Sequence, residues 1–120
     1  MELSEKQLDL LARKKLVVLA TSGSDDKPRA IIVEVNKAES DKIIITDNEM
    51  EITRKNLLGN KNVFLLTFEE DYHYGLKILG EAEYYSRGEH FDFVKNLETN
   101  KGHSPKAAVV ITVKEVVEFK

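Results

Sequence analysis

Apolar residues recur along this chain in short, mostly alternating runs, which is the pattern of β-strands with one buried face. Turn-forming residues such as glycine, asparagine, aspartate and serine separate the runs. Strands are therefore predicted over residues 16–21, 29–35, 42–46, 62–68, 76–86, 107–113 and 116–119. Within the run at 76–86, Gly80 predicts a β-bulge or a site of close backbone approach.

Helical spacing of apolar residues predicts three short helices. Ser4 and Gln7 fit a capping box that begins the first, and a second is predicted to begin near Thr53. The third is predicted over residues 87–98. Because most strands follow one another through hairpin-length links, we expect a mainly β fold, a small antiparallel barrel of Greek-key type with peripheral helices. Residues 1–120 are expected to form one domain.

Composition narrows the range of functions. Eighteen lysines and arginines against 21 aspartates and glutamates give a net charge of −3, so the chain lacks the basic field that holds nucleic acid. It has no cysteine, which excludes disulfides, thiolate catalysis and cysteine-ligated metal sites. No apolar run is long enough to span a bilayer, and the first residues are too polar for a signal peptide. We therefore expect a cytoplasmic protein without a membrane partner.

The clearest candidate chemistry is a polar run where the second helix begins, Thr53, Arg54, Lys55 and Asn56. It places a hydroxyl, two cations and an amide at a position where unpaired N–H groups and the helix dipole favour an anion. The pattern predicts a phosphate socket on a β-scaffold. The alternative interpretation is a capped helix start with two solvated cations.

Other kinds of site have little support in the sequence. No nucleophile, acid–base pair or cluster of metal ligands stands out, so neither a catalytic residue nor a metal site is predicted. The three histidines, His73, His90 and His103, lack metal-ligand spacing and are expected in a turn, a helix start and a loop.

The order of several short motifs resembles a known family. Leu-Ala-Thr-Ser-Gly precedes a Pro-Arg strand, a later strand ends in Thr-Asp, and Thr-Arg-Lys-Asn-Leu, Gly-Asn-Lys-Asn-Val and Ile-Leu-Gly-Glu-Ala-Glu follow in that order. This order is similar to that of the FMN-binding split barrels, the pyridoxamine 5′-phosphate oxidase-like superfamily, and especially to its short stand-alone FMN-binding proteins of anaerobic bacteria. The resemblance covers residues 16–119 and implies the barrel expected above.

The resemblance also implies a homodimer that binds two FMN molecules at the subunit interface. Residues 29–33 would border the flavin, residues 46–47 would approach its ring or ribityl chain, and residues 53–56 would hold its phosphate. Residues 74–76 would reach the flavin from the second subunit. The implied cofactor contacts are Arg29, Ala30, Ile31, Ile32, Val33, Thr46, Asp47, Thr53, Arg54, Lys55, Asn56, Tyr74, Gly75 and Leu76.

Two departures from the family pattern limit these implications. Glu34 stands where the oxidase branch has a lysine, and Ile52 stands where many short members have one. The chain is also expected to lack the C-terminal arginine–tryptophan region of that branch. The glutamate at position 34 and the lack of this region together argue against pyridoxal phosphate synthesis, whereas the missing cation at Ile52 weakens the expected phosphate socket.

Three functions remain open at this point. The first is a dimeric FMN protein with a redox role, in electron transfer or as an FMN-dependent oxidoreductase, whose flavin exchanges electrons with a partner protein or a small molecule. The second is a split barrel that binds a deazaflavin or haem, with His73 as an axial ligand in the haem case. The third is a non-catalytic dimeric module that stores or senses a flavin or another phosphorylated ligand.

Overall fold

The computed structural model describes residues 1–119, which form one curled antiparallel sheet with helices around it. These residues contain seven strands: β1 Leu16–Ser22, β2 Pro28–Glu34, β3 Lys37–Glu39, β4 Lys42–Asp47, β5 Asn62–Phe68, β6 Gly75–Tyr85 and β7 Ala107–Phe119. Their order across the sheet is β2-β1-β5-β6-β7-β4-β3. The mainly β, antiparallel fold predicted from the alternating pattern is confirmed.

Three α-helices surround the sheet within this part of the chain, α1 Glu5–Lys14, α2 Glu51–Gly59 and α3 Glu89–Lys95, and a short 3-10 turn follows at Glu98–Asn100. The predicted capping box is confirmed, because Ser4 Oγ accepts the Gln7 N–H at 3.2 Å and Gln7 Oε1 accepts the Ser4 N–H at 2.9 Å. None of the helices formed by residues 1–119 has the length and apolar character needed to cross a membrane.

Several boundaries differ from the prediction. Residues 107–113 and 116–119 belong to one strand, since β7 pairs with β6 on both sides of the predicted break. β3 has three residues, too few to carry a periodic signal. The third helix ends at Lys95, before the predicted residue 98. α2 begins at Glu51, so Thr53 is the third residue of the helix and not its first.

Gly80 lies at an irregularity between β6 and β7, as predicted. The pairing register shifts between Leu79 and Gly80. A Cβ atom at Gly80 would lie 2.6 Å from Ile111 Cγ2 and 2.9 Å from the Thr112 carbonyl oxygen, so a larger residue would push the strands apart. A bulge of this kind bends its strand, which contributes to the curl of the sheet.

The curled sheet encloses the core and brings together strands that are distant in its hydrogen-bonding order. β2 and β4 are not paired, yet they come within contact distance. Fully buried side chains from five strands fill the interior, among them Leu19, Ile43, Leu65, Ile78 and Ile111. This packing holds β2, the end of β4 and the start of α2 close to one another.

An apolar face of the sheet stays exposed in the described chain. Val18 is directly opposite Ile32 on one side and Leu66 on the other, so these side chains form a row across three strands. Ile32 is 70% exposed. Neighbouring exposed side chains are Leu16, Phe64, Phe68 and Leu79. A contiguous apolar patch of this kind is typical of an interaction surface.

Candidate functional site

A cavity of about 540 Å³ lies beside β2, the end of β4 and the start of α2. Its volume is within the range of small-molecule sites. Residues 31–34 form one part of its wall and residues 48–53 another, while Thr99, Asn100 and His103 come from the segment after α3. The cavity therefore combines an apolar strand with the polar beginning of a helix.

The start of α2 presents unused hydrogen-bond donors to this cavity. The first backbone bond of the helix joins the Arg54 N–H to the Met50 carbonyl, so the N–H groups of Glu51, Ile52 and Thr53 have no acceptor within the helix. Thr53 lines the cavity and is 4% exposed, and its hydroxyl has no hydrogen-bond partner among residues 1–119. Free N–H groups beside the hydroxyl of a lining residue at a positive helix end favour an anion.

The buried carboxylate of Asp47 anchors this helix start to the end of β4. It accepts hydrogen bonds from Arg54 Nε at 2.6 Å and Nη2 at 3.2 Å, from the Tyr84 hydroxyl at 2.5 Å, and from the Met50 N–H at 2.9 Å. Burial raises the pKa of Asp47, but these hydrogen bonds outweigh burial and hold that pKa below its ordinary value. Burial and the bond to Asp47 raise the pKa of Tyr84 to about 12.

A second polar network, on the cavity wall, leaves one acceptor unused. The side-chain amide of Asn100 donates to the Val94 carbonyl at 2.7 Å and to Thr46 Oγ1 at 3.0 Å, which fixes Asn100 Oδ1 as the atom that faces Asn48. Asn48 Nδ2 donates to that oxygen at 3.3 Å. Asn48 Oδ1 is consequently a buried acceptor without a hydrogen-bond partner in residues 1–119.

The described lining of the cavity carries carboxylates but no lysine or arginine. Glu34, Glu49 and Glu51 are exposed, and none of them belongs to an ion pair within residues 1–119. Glu34 accepts the Thr99 hydroxyl at 3.4 Å. Lys106 lies outside the lining, but its ammonium donates to the Asn48 carbonyl at 2.9 Å. Three carboxylates and one cation give the exposed edge of the cavity a net negative charge.

The structure brings five of the predicted cofactor contacts together on the cavity wall: Ile31, Ile32, Val33, Thr46 and Thr53. Arg29 and Ala30 precede this wall on β2 and are exposed outside the cavity. The Arg29 guanidinium donates to the Pro28 carbonyl at 3.2 Å, next to its own backbone.

The four residues of the predicted phosphate socket, 53–56, do not face one site. α2 begins two residues earlier than expected, and the four side chains point in different directions from it. Arg54 turns to the buried Asp47, and Asp47 itself lies in the core and not on the cavity wall. Lys55 is exposed outside the cavity. Asn56 is buried, and its amide donates to a threonine hydroxyl of β1 at 3.1 Å. Of the four residues, Thr53 alone lines the cavity.

The stretch that the resemblance places against the flavin of a second subunit is buried within its own chain. Tyr74 is 8% exposed, its hydroxyl donates to Glu118 at 2.6 Å, and the Lys6 ammonium lies 4.1 Å from its ring centroid. Gly75 and Leu76 are also buried and lie outside the cavity. Their contact with a partner's cofactor stays a prediction.

Sequence reasoning misses several polar residues of the lining, namely Asn36, Asn48, Thr99, Asn100 and His103. They come from separate loops, and the asparagines meet through side-chain hydrogen bonds that leave no periodic trace in the sequence. The run Asn100-Lys101-Gly102 does carry a signal, but it is the signal for the end of a helix. A polar residue directly after the Thr-Asp end of β4 is the available hint for Asn48.

Comparison with known proteins connects this fold to several others. An uncharacterised protein of Methanocaldococcus jannaschii is 33% identical over 125 residues, which cover 99% of this chain and 82% of the relative. The structure of HupZ from Group A Streptococcus has a TM-score of 0.87 at 20% identity and covers 97% of this chain and 93% of that one. The structure of an FMN-binding protein from Syntrophomonas wolfei has a TM-score of 0.80 at 18% identity, and the match covers 97% of this chain and 85% of that one.

Nearly the whole chain also matches one family. The match covers residues 3–120, and the family is described as pyridoxamine 5′-phosphate oxidase. This result confirms the resemblance inferred from the order of the motifs, and the structural similarities confirm the split-barrel fold. The chain therefore belongs to the pyridoxamine 5′-phosphate oxidase family.

Proposed function

We propose that this protein is an FMN-binding flavoprotein with a redox role, and that it acts as a homodimer. The observation that carries the proposal is the cavity at the start of α2, where an apolar strand lies beside a helix N-terminus with unused donors. The similarity to an FMN-binding protein of known structure supports the same cofactor.

The donors at the start of α2 suit the phosphate of FMN. Three free N–H groups and the Thr53 hydroxyl converge there without a partner among residues 1–119. Hydrogen bonds to a charged group contribute about 1.5–3 kcal/mol each, so two of them distinguish FMN from riboflavin. Glu49 and Glu51 lie at the same helix start and repel the phosphate. Because both are exposed, water and salt weaken this repulsion without abolishing it, and the hydrogen bonds to the phosphate outweigh it.

The apolar part of the cavity suits the flavin ring. Ile31, Ile32 and Val33 form this wall on one strand and would exclude water from one side of the ring. Bound FMN would supply the hydride and electron chemistry, which agrees with a sequence in which no nucleophile or acid–base pair is predicted. The role of the protein is then to bind the ring, orient it and control what reaches it.

Removal of the Thr53 hydroxyl tests the proposed phosphate site. Thr53→Val removes the cavity hydroxyl with little change in volume, and we expect FMN affinity to fall by about tenfold or more, the worth of one charge-assisted hydrogen bond, while riboflavin affinity stays the same. Thr67→Val is the matched control, because Thr67 is also 4% exposed and lies outside this cavity. Equal losses for FMN and riboflavin in Thr53→Val would place the phosphate elsewhere.

The homodimer is supported by continuity between the cavity and the exposed apolar face. Ile32 belongs to both, so a second copy that covers the face would also close the cavity. We expect a dimer by light scattering at micromolar concentration. Phe64→Glu on the face is expected to give monomers that lose FMN, whereas Leu58→Glu on the exposed side of α2 stays dimeric. A wild-type monomer that binds FMN tightly would contradict the dimeric site.

The proposed redox role does not include pyridoxal phosphate synthesis. Glu34 lines the cavity with a carboxylate where the oxidase branch has a lysine, and a carboxylate repels a phosphorylated vitamin substrate. FMN-loaded protein is expected to produce no pyridoxal 5′-phosphate from pyridoxamine or pyridoxine 5′-phosphate, while anaerobic reduction followed by air cycles the flavin spectrum. Steady product formation would overturn this part of the proposal.

The absorption spectrum of freshly purified protein separates this function from its alternatives. Flavin bands that match FMN support the proposal, and deazaflavin or haem bands select a different cofactor. A colourless protein that cannot be reconstituted with any of them favours a module that senses another phosphorylated ligand. Bound FMN that no low-potential donor reduces favours storage over redox chemistry.

A further inference from the structure

We infer that the electron carrier that meets the flavin in this cavity is cationic or uncharged, and that the cavity discriminates against anionic carriers. The inference rests on the proposed function, because it concerns the reactant of bound FMN. It is carried by the charges on the cavity wall together with Asn48 Oδ1 on that wall, a buried acceptor without a hydrogen-bond partner among residues 1–119, which is typical of a ligand site.

The charges on the lining have one sign. Glu34, Glu49 and Glu51 are exposed there, no lysine or arginine lines the described cavity, and the nearby Arg54 is committed to Asp47. Elsewhere on the surface, carboxylates of this chain do pair with cations, as Glu69 does with Arg13 at 2.6 Å. One further cation lies close to the lining, since the Lys106 ammonium donates to the Asn48 carbonyl at 2.9 Å. Three carboxylates still face this single cation, so a carrier that approaches the cavity meets a net negative charge.

Bound FMN would strengthen this field, because its phosphate adds negative charge at the same helix start. Glu34 lies apart from the helix start, because it is on β2 and directly follows the apolar residues 31–33. Clefts lined by charge of one sign raise the local concentration of oppositely charged reactants and lower that of like-charged ones. Glu34 is thus the residue with which the discrimination is best tested.

The reaction in question needs two one-electron carriers for each flavin. One FMN takes one electron from each of two reduced carriers and two protons from solvent, which gives one reduced FMN and two oxidised carriers. Reduced methyl viologen is a cationic carrier that becomes a dication when it gives up its electron. The sulfur dioxide radical anion, formed from dithionite, is an anionic carrier that becomes sulfur dioxide.

The experiment compares the two carriers by anaerobic stopped-flow reduction of FMN-loaded protein, with rates expressed per bound flavin. At low ionic strength, Glu34→Gln is expected to slow reduction by viologen about threefold and to accelerate reduction by the sulfur dioxide radical anion about threefold. These changes are smaller than the roughly 10- to 1,000-fold changes in association rate that electrostatic steering can produce. Glu34→Lys is expected to enlarge both changes. Added salt is expected to diminish them.

A matched control and the direction of the changes keep the test decisive. Glu115→Gln removes the same charge from an exposed residue outside the cavity and is expected to change neither rate. A structural effect of Glu34→Gln would change both rates in the same direction. If FMN binds normally, either that result or unchanged rates would overturn the inference. A chain that takes up no FMN would instead overturn the proposed function, and the inference with it.

Discussion

Asp47 and Asn48 are neighbours in the sequence, but their side chains have opposite surroundings. Asp47 is fully buried, and both of its oxygens accept hydrogen bonds, from Arg54, Tyr84 and the Met50 N–H. Asn48 lies on the cavity wall, and its Oδ1 has no hydrogen-bond partner among the described residues. The backbone turns from core to cavity within one residue, at the end of β4.

The difference separates the part of this region that holds the fold from the part that forms the site. A buried charge is tolerated when it is paired and fully hydrogen-bonded, and Asp47 meets both conditions. A buried acceptor without a partner costs free energy, and departures of this kind from local satisfaction are typical of functional sites. Asp47 therefore fixes the position of α2, whereas Asn48 belongs to the cavity wall between α2 and β4, where we propose that the ligand binds.

The same division applies to Arg54 and Lys55. Both cations belong to the run that resembles a phosphate triplet, but Arg54 is committed to Asp47, with its side chain 26% exposed, and Lys55 is exposed outside the cavity. The comparison thus predicts that a substitution in the Asp47 cluster changes stability, whereas a substitution on the cavity wall has its main effect on the ligand.

The largest effect is expected for Arg54→Ala. It leaves the buried Asp47 carboxylate without its cation, and breaking a buried ion pair from one side costs about 3–5 kcal/mol of unfolding free energy. Urea unfolding of Arg54→Ala and of the control Lys55→Ala measures the difference, and the control is expected to change stability by at most about 0.5 kcal/mol. Equal losses in the two variants would remove the distinction between fold and site at this helix.

The stability difference between wild type and Arg54→Ala depends on pH through the ionisation of Asp47. The pKa of Asp47 lies below its ordinary value of 3.8 in the folded protein, so its contribution is complete above about pH 4 and is lost as the pH falls through the folded value. The stability difference between wild type and Arg54→Ala is therefore expected to shrink in acid. A difference that grows on acidification would contradict the role of the ionised carboxylate.

The fold was accessible from the sequence because its signals are local. Alternation marks the long strands, the Ser4 and Gln7 pair marks the start of α1, and Gly80 marks the bulge. The lining of the cavity was accessible in part, since Thr53 and residues 31–33 lie on predicted elements, and their contact with a cofactor stays a prediction. The resemblance supplied the family, which the match over residues 3–120 confirms.

The rest of the site depends on long-range pairings that no local pattern encodes. Whether Arg54 faces a phosphate or a core carboxylate depends on a two-residue shift in the start of α2, and helix boundaries are the weakest part of pattern reasoning. The contact between Asn48 and Asn100 joins residues 52 positions apart. Side-chain hydrogen bonds of this kind follow from tertiary packing alone.

A smaller effect is expected for Tyr84→Phe, which removes one donor from Asp47 and leaves the ring in place. The loss is expected to be about 1.5–3 kcal/mol of unfolding free energy, the value of a hydrogen bond to a charged group. Tyr85→Phe is the matched control, because Tyr85 is 38% exposed and its hydroxyl makes no hydrogen bond within residues 1–119.

Alkaline pH provides a second test of the Tyr84 bond. The pKa of Tyr84 is raised from 10.0 to about 12, so the neutral hydroxyl is favoured in the folded state. Its contribution is complete below pH 10 and is lost as the pH rises from about 10 to about 12. The stability difference between wild type and Tyr84→Phe should narrow over that interval, and a constant difference would mean that the hydroxyl does not interact with Asp47 as described.

The smallest effect on stability is expected for Asn48→Ala. The substitution removes a long hydrogen bond to Asn100 together with an acceptor that has no partner in the described residues, so the two consequences partly cancel. We expect a loss of less than about 1 kcal/mol, compared with about 1–3 kcal/mol for Asn56→Ala, whose buried amide is bonded to Thr21 at 3.1 Å.

FMN affinity is the second measurement, and it is expected to fall by up to about tenfold in Asn48→Ala, the worth of one hydrogen bond. A stability loss as large as that of Asn56→Ala, with FMN affinity unchanged, would assign Asn48 to the fold together with Asp47 and end the distinction between the two neighbours.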